Sequence, residues 1–226
     1  MHFRPNFDLL SDWQNVKKSK DFASNSAYFA IFKRDNKTLV YMCDIHMLNI
    51  SFNMVDMCFA DDFSIKPDIL LIEMENSGFE RKLDWYGYQN NTLAYAAAVA
   101  TKKEIPVVFA DLSDEQMINV LKTGFPDSEI TNKVLHDVLR AGPSKNKMCE
   151  YLSKYGRDKF MLENIATALN KYNTVFAIFG SGHYEAQRLV LEDMMGEPEY
   201  ITRIKNIRGD FSDIKVEPIK LCDFKL

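Results

Sequence analysis

Several signatures that would place a chain in a familiar class are missing from these 226 residues. There is no GxGxxG turn, no P-loop and no GxSxG elbow, so dinucleotide binding, P-loop nucleotide hydrolysis and serine-elbow esterase chemistry are not predicted. No apolar run approaches the length of a membrane span, and no solenoid repeat or low-complexity linker divides the chain. We therefore expect one globular domain over residues 1–226, with residues 1–25 peripheral to it.

Excess positive charge and paired cysteines are also lacking. The formal net charge of -4 disfavours binding to a phosphate backbone, so no nucleic acid partner is predicted. The cysteines are scattered without a CxxC pair, which indicates reduced thiols and a reducing compartment. Residues 1–13 include charged side chains and no uninterrupted apolar core, so no signal peptide is predicted and a cytoplasmic protein is expected. The sequence does not indicate an oligomeric state. The four cysteines are Cys43, Cys58, Cys149 and Cys222.

What is present is an alternation of short apolar runs with segments of helical periodicity. Runs rich in β-branched and aromatic residues predict strands, and apolar residues spaced three and four apart predict helices. The alternation predicts an α/β fold with a central, mostly mixed β-sheet flanked by helices. Strands are predicted at 28–33, 38–43, 69–75, 105–111 and 173–179, with edge strands or a terminal hairpin at 199–205 and 214–224. Helices are predicted at 92–103, 113–122, 145–171 and 184–195, and from 51 up to a stop at 66–68.

Local patterns refine this outline. Residues 34–37 have the composition of a hairpin turn between the first two strands. Ser113 and Gln116 have the spacing of a capping box at the start of a helix. Residues 125–144 are predicted to be irregular or weakly helical. Residues 145–171 fit either one long helix or two helices joined at Gly156.

Two histidines and a glutamate follow apolar strands directly. His183 comes after a strand and a Gly-Ser-Gly turn, His46 comes after another strand, and Glu73 stands near the end of a third. If these strands are neighbours, the side chains emerge at one edge of the sheet, where two imidazoles and a carboxylate suit a divalent metal or acid–base site. The alternative is three strand-end residues that never meet. The helix dipole after the turn predicts a neutral His183.

Further polar residues are candidates for the same site. In an extended strand Glu75 shares a face with Glu73, so it is either a second ligand, the base that activates water, or a solvated loop carboxylate. Arg157 is predicted either to clamp a substrate carboxylate, to pair with Glu73, or to form a surface ion pair. Asp111 either orients a histidine or caps the next helix. The aromatic segment 76–91 is a candidate substrate rim.

The order of these motifs resembles the TraB/PrgY/Tiki family, within the wider group of GumN, erythromycin-esterase-like (EreA-like) and ChaN-like proteins. The family pattern has two GxxH motifs, a serine and a valine on a helix, a Lys-Pro-Asp turn before a strand that ends in Glu, and an Arg-Asp helix. The similarity runs from about residue 40 to residue 199. Its matches are 180–183 and 43–46 for the GxxH motifs, Ser51 and Val55, 66–68, 72–75, Arg157-Asp158 with Met161, and Arg81 for a further arginine.

The resemblance implies an EreA/ChaN-like α/β fold and a metal-dependent hydrolase that acts on a peptide or amide bond. It implies that His46, His183 and Glu73 hold a divalent ion, which is Mn, Co, Zn or Fe. Glu75 or the ion would then activate water, and Arg157 would position an anionic part of the substrate. The implied partner is a peptide or a small-molecule substrate.

The sequence departs from the family at the first GxxH motif. Cys43 stands where the family has glycine, so a side chain occupies a place that the family leaves to bare backbone. This departure favours a second hypothesis. On that hypothesis the protein is catalytically inactive and binds a peptide or a partner protein on the same fold. A third hypothesis is that it binds a small ligand or haem.

Overall fold

A computed structural model describes residues 2–13, 28–44, 48–61, 63–75, 92–143 and 145–201. The described part of the chain forms a six-stranded mixed sheet flanked by helices. The strands are β1 (Tyr28–Arg34), β2 (Lys37–Asp44), β3 (Ile69–Ile72), β4 (Val107–Phe109), β5 (Thr174–Gly180) and β6 (Glu199–Ile201). The helices are α1 (Leu48–Phe59), α2 (Thr92–Lys102), α3 (Asp114–Gly124), α4 (Asn132–Ala141), α5 (Lys147–Leu152), α6 (Asp158–Lys171) and α7 (Ser181–Met195).

The sheet has the strand order β4-β3-β5-β2-β1-β6. Strands β4, β3, β5 and β2 are parallel to one another, whereas β1 is antiparallel to both β2 and β6. This arrangement confirms the predicted α/β fold with a mixed sheet. The predicted hairpin is also confirmed, since Arg34 pairs with Lys37 across a turn in which Asp35 has a φ of 55°.

Alternate side chains along each strand enter two different apolar layers. Val40 and Phe176 face α1 and α2, whereas Leu39 and Val175 face α6 and α7. Because both faces of the central strands are covered by helices, these strands are continuous apolar runs rather than alternating ones. This burial explains why the central strands can be recognised in the sequence as apolar runs.

Helices α3, α4 and α5 form a third layer with its own core. Leu121, Leu135 and Leu152 are fully buried within it. The predicted capping box is present at the start of α3, where Ser113 and Gln116 exchange hydrogen bonds with each other's backbone N–H groups. Residues 125–143 contain more regular structure than the sequence predicts. Helix α4 begins after the N-cap residue Thr131 and buries Leu135 in this core.

The predicted helix over 145–171 is interrupted by a π-helical segment, Ser153–Arg157, between α5 and α6. Gly156 lies inside this segment, so the alternative of two joined helices is the one observed. A β-carbon at Gly156 would stand 3.2 Å from both Leu112 and Val120, which is a tight fit against the third layer. The segment ends at Arg157, and α6 begins with Asp158.

Several predicted boundaries are wrong, and the strand predicted over 105–111 spans only Val107–Phe109. The strand predicted over 69–75 ends at Ile72, because the N–H of Met74 turns back to the carbonyl of Ile72 at 2.8 Å. Glu73 and Glu75 therefore do not share the face of one strand. The helix predicted to reach the stop at 66–68 ends at Phe59. The strand predicted over 199–205 is described as far as residue 201, and the predicted strand at 214–224 lies outside the described residues.

Residues 2–13 are attached to the domain by buried side chains and hydrogen bonds. Phe3 and Leu10 are each 4% exposed and join the apolar layer under α6 and α7. A short 3-10 turn, Phe7–Leu9, lies between them. The side chain of Asn170 on α6 accepts from the N–H of Phe3 at 2.7 Å and donates to its carbonyl at 3.0 Å. The burial of two apolar side chains ties this segment to the domain.

Candidate functional site

The parallel strands present their carboxyl ends at one edge of the sheet, and polar residues follow them there. Gly180 ends β5, Glu73 follows β3 directly, and Asp111 stands two residues beyond β4. His183 lies in the first turn of α7, which begins at the same edge. The topology thus collects side chains that are far apart in the sequence, at the position where open α/β sheets bind their ligands.

His183 is held between two carboxylates. Its Nδ1 lies 2.7 Å from Oδ1 of Asp158, and its Nε2 lies 3.2 Å from Oε1 of Glu73. The side chain of Asp158 is fully buried, that of His183 is 6% exposed and that of Glu73 is 11% exposed. Asp158 therefore orients the ring from inside the protein, and the other ring nitrogen is directed at the more accessible carboxylate.

Arg157 links Glu73 to a further acid. Its guanidinium binds Asp111 through two bonds, from Nε to Oδ1 at 2.9 Å and from the terminal NH2 nitrogen to Oδ2 at 2.7 Å. The same terminal nitrogen donates to Oε1 of Glu73 at 2.8 Å. The two-bond fork fixes the plane of the guanidinium. We name the resulting cluster the His183 centre, and its side chains are His183, Glu73, Asp158, Arg157 and Asp111.

Neighbouring groups fix the two carboxylates that flank the imidazole. The N–H of Gly180 donates to Oε2 of Glu73 at 2.6 Å, so both oxygens of this glutamate are engaged. Asp158 accepts further bonds from Gln187 at 2.9 Å and from the indole of Trp13 at 3.1 Å. Each carboxylate of the pair therefore has a defined orientation.

The charges around Glu73 favour its ionised form. Burial raises the pKa of the Glu73 carboxyl, but the attraction of His183 and Arg157 and the N–H of Gly180 outweigh burial and hold this pKa well below its usual range. For Arg157, burial lowers the pKa of the guanidinium, whereas Asp111 and Glu73 raise it by more. The accessible carboxylate is therefore an anion at neutral pH.

The same surroundings place a positive charge on His183. Burial and Arg157 lower the pKa of the imidazole, but Glu73 and Asp158 outweigh both and raise it from 6.5 to about 10. The predicted neutral ring is therefore wrong. The dipole at the start of α7 disfavours a positive charge, but it is a partial charge, and two full carboxylate charges are in direct contact with the ring.

The predicted metal site includes His46, which lies outside the described residues, so the site as a whole stays a prediction. Among the residues that are described, no three His, Cys, Asp or Glu side chains form a group suited to hold an ion. Nε2 of His183 and Oε1 of Glu73 are close enough for one ion to bridge, yet they are hydrogen-bonded to each other, and a guanidinium nitrogen of Arg157 stands 2.8 Å from the same oxygen. An ion between these two atoms would have to displace both bonds and would stand beside the positive charge of Arg157.

Several predicted site residues fall outside the described part of the chain. His46, Arg81 and the aromatic segment 76–91 are among them. The described residues before His46 end at Asp44, which accepts a hydrogen bond from Ser51 of α1 at the carboxyl end of β2. His46 itself lies outside the described residues, so its role as a ligand stays a prediction.

Other predicted residues are described. Glu75 is half-buried, directly before 76–91, and its role stays a prediction. Arg157 pairs with Glu73, which is one of the alternatives that the sequence left open. Asp111 binds this arginine rather than a histidine. Cys43 is fully buried in the layer beneath α6 and α7, where burial raises the pKa of its thiol. The Cys43 side chain therefore packs into the core.

Sequence reasoning missed three residues that support this site. Gln187 stands four residues after His183 on α7, a spacing that puts both side chains on one helix face and was available as a signal. Tyr41 on β2 donates to Oε1 of this glutamine at 3.2 Å. Trp13 reaches Asp158 across 145 positions of the sequence, and no local pattern indicates that contact.

An open groove of about 310 Å³ lies elsewhere, between α1 and α2 on the opposite face of the sheet. Tyr95 and Asp56 line it and bind each other through the phenol hydroxyl. Its lining contains no residue of the His183 centre, so the groove and the charged cluster are separate features.

Comparisons with protein-family models, with curated proteins and with solved structures give no match to this chain. Within the described ranges, no helix has both the length and the apolar character required to cross a bilayer. The geometry of the His183 centre is therefore the structural evidence that bears on function.

Proposed function

We propose that this protein is a hydrolase with His183 and Glu73 as its acid–base pair. The observation that supports the proposal is the placement of one imidazole between two carboxylates at the carboxyl edge of a parallel sheet, with Nε2 of His183 directed at Glu73. In this scheme Glu73 accepts a proton from the attacking water, and His183 donates a proton to the leaving group. Arg157 supplies positive charge beside the carboxylate. The substrate class, a peptide or amide bond, comes from the motif resemblance.

The differences in exposure among the side chains of the His183 centre are consistent with this proposal. Asp158 is fully buried, whereas Glu73 and Arg157 keep 11% and 16% of their side chains exposed. A substrate would therefore approach from the Glu73 side, and the buried aspartate would keep the imidazole oriented throughout. Metal dependence through His46, Glu73 and His183 stays open as a variant of the proposal, although the acid–base scheme requires no ion.

The proposal is tested by turnover of a panel of peptides and acyl amides by the purified chain, with mass spectrometry of the products. H183Q and E73Q are each expected to lower kcat/KM by roughly 100-fold or more, because each removes one partner of the proton transfer. H136Q and E163Q are matched controls, since both of these side chains are exposed on helices away from the site. Turnover that survives H183Q in a folded protein would contradict the proposal.

Metal analysis of the same preparations decides between the two forms of the hydrolase. A stoichiometric ion that is bound by the wild type and lost in the H183Q protein would replace the metal-free scheme by a metal-dependent one. A metal-free protein that turns over substrate supports the metal-free scheme.

A second candidate is a binding protein without catalysis. It is favoured by the engagement of both Glu73 oxygens and both His183 nitrogens with protein groups. If the folded protein turns over none of the panel and yet binds peptides in a manner that E73Q weakens, this candidate replaces the hydrolase.

A further inference from the structure

Residues 2–13, which we call the N-terminal segment, lie across α6 and α7. Beyond the anchoring of Phe3 by Asn170, the N–H of Ser11 donates to the carbonyl of Ala186 on α7 at 3.0 Å. Asp12 forms an ion pair with Lys154 of the π-helical segment. The segment is therefore attached along its length, and these attachments place the next residue, Trp13, beside the site.

Trp13 contacts Asp158 and His183, which are the two most buried side chains of the His183 centre. Its indole N–H donates to Oδ2 of Asp158 at 3.1 Å. Its ring lies against the imidazole of His183 with the ring centres 5.3 Å apart and the planes at 83°. Oδ1 of the same aspartate accepts from the imidazole, so the indole occupies the other oxygen of the carboxylate that orients the histidine.

Gly182 provides the space that the indole requires. A β-carbon at Gly182 would stand 2.5 Å from Cη2 and 2.6 Å from Cζ3 of Trp13, which is closer than such atoms approach in proteins. The indole is not free to move away, because its N–H is bound to the fully buried Asp158. The glycine before His183 thus fits a tryptophan that stands 169 positions earlier in the chain.

We propose that Trp13 is a positioning residue of the His183 centre, so that the N-terminal segment completes the site. The indole holds Asp158 in the orientation that directs Nε2 of His183 at Glu73, and its ring lies against the imidazole. This inference rests on the proposed function for its catalytic consequence. The contact itself is testable without any substrate.

The first test is thermal unfolding of a double-mutant cycle between positions 13 and 182. In the wild-type background G182A is expected to lower Tm, because the added methyl group meets the indole. In the W13A background the same substitution is expected to leave Tm unchanged or raise it, since alanine is preferred to glycine in a helix. S181A, at the neighbouring position of α7, controls for a general effect of alanine there. Equal effects of G182A in both backgrounds would overturn the packing on which the proposal depends.

The second test is nuclear magnetic resonance of the ring protons and nitrogens of His183, assigned by comparison with H183Q. W13F keeps an aromatic ring but removes the N–H that binds Asp158, so it is expected to shift the His183 signals and the proton between Nδ1 and Asp158. L189A is the control, since Leu189 is 44% exposed on the same helix. His183 signals that are identical in wild type and W13F would overturn the positioning role.

The two proposals can fail separately. If a substrate is found, W13F is expected to lower kcat at least tenfold with little change in KM, because the residue acts through Asp158 rather than on the substrate. Loss of turnover in H183Q together with unchanged His183 signals and unchanged kcat in W13F would refute the role of Trp13 alone. Shifted His183 signals in a protein without hydrolytic activity would refute the hydrolase alone.

Discussion

At the scale of single residues, charge balance decides how the His183 centre is held together. Three carboxylates surround one guanidinium and one imidazolium, and each positive group contacts two of the acids. Arg157 is the only described side chain with an ion pair to both Glu73 and Asp111. Removing it leaves two largely buried acids side by side without their shared positive partner.

We expect R157M to lower the free energy of unfolding by about 3–5 kcal/mol, because it leaves buried charges unpaired. R157K is expected to cost less, since a lysine keeps the charge but cannot form the two-bond fork with Asp111. Urea denaturation measures both. R140M is the control, because Arg140 is 82% exposed, and a loss of stability in R157M no larger than in this control would contradict the charge argument.

The raised pKa of His183 predicts a pH dependence of stability. The folded value of about 10 lies above the ordinary value of 6.5, so the stabilisation is fully present below pH 6.5 and is lost as the pH rises towards 10. Within this window the free energy of unfolding should fall by at most about 1.4 kcal/mol per pH unit. Urea titrations of wild type and H183Q at several pH values measure the slope.

The matched control for this pH dependence is H136Q. It removes an exposed histidine and should keep the wild-type slope between pH 6.5 and 10. An H183Q protein with the same slope as wild type would show that His183 is not the group that loses its proton in this window.

At this scale the sequence identifies the residues of the site but not the residues that each of them contacts. Glu73, Arg157 and His183 stand out because charged or polar side chains follow apolar strands or lie on a helical face. The predicted charge state of His183 is wrong, since it depends on Asp158, which comes from another helix. Trp13 is not found, because nothing near it in the chain indicates a contact 145 positions away.

At the scale of the secondary structure elements, the π-helical segment sets the direction of two adjacent side chains. Arg157 is the last residue of the segment and Asp158 is the first of α6, and they bind different partners of the site. The π-helical segment contains one residue more than an α-helical turn would. This extra residue rotates α5 about the helix axis relative to its position in a continuous α-helix with α6. The third layer is therefore attached to α6 in a register that this extra residue fixes.

Deleting one residue from the segment should be far more harmful than substituting it. Removal of Tyr155 would turn α5 by about 100° relative to α6 and take Leu152 out of its core, so we expect a loss of roughly 3 kcal/mol or more. Y155A keeps the register and removes a side chain that is 47% exposed, so it is the control. Equal stability of the deletion and the substitution in urea denaturation would contradict the role of the segment.

The capping box at α3 permits a smaller prediction. S113A removes the hydroxyl that accepts from the N–H of Gln116, and we expect a loss of about 1 kcal/mol in the free energy of unfolding. S128A, in the turn after the same helix, should have little effect. Similar losses in both variants would mean that the cap contributes nothing specific.

The capping box is predictable from sequence because it is local. The end of β3 at Ile72 is not, because it depends on a turn within an apolar run that resembles a longer strand.

At the scale of the whole molecule, the described residues divide into a sheet with two helical layers and a third layer that has its own core. Helices α3, α4 and α5 pack on one another, and α3 and α5 also pack on the π-helical segment. Their core consists of Leu121, Leu135, Leu152 and a few further apolar side chains. A small core with narrow attachment has a lower free energy of opening than the central strands.

Native-state hydrogen exchange should therefore show the amides of α3 and α4 opening before those of β2 and β5. L135A, in the third layer, should lower the opening free energy of these helices by about 2–5 kcal/mol and affect the central strands less. L162A is the matched truncation in the main core, and it should destabilise β5 as well, since Leu162 packs in the layer beneath the sheet. Uniform loss of protection after L135A would contradict an independent third layer.

The sequence predicts the sheet and its two covering layers because buried strands and amphipathic helices have strong local periodicity. It does not predict the strand order, since pairing between β3, β5 and β2 joins segments that are separated by other elements. The predicted meeting of Glu73 with His183 at one sheet edge depends on that order. The placement of His46 at this edge is a prediction that the described residues do not test.

The antiparallel orientation of β1 has a consequence for how this protein can change during evolution. Because β1 runs opposite to β2, its first residue, Tyr28, lies at the edge where Trp13 stands over His183. Asp44, Glu73 and Gly180 follow or end their strands at this same edge of the sheet. Substitutions of the side chains at this edge would leave every strand pairing intact, so the edge can diverge in sequence while the sheet stays the same.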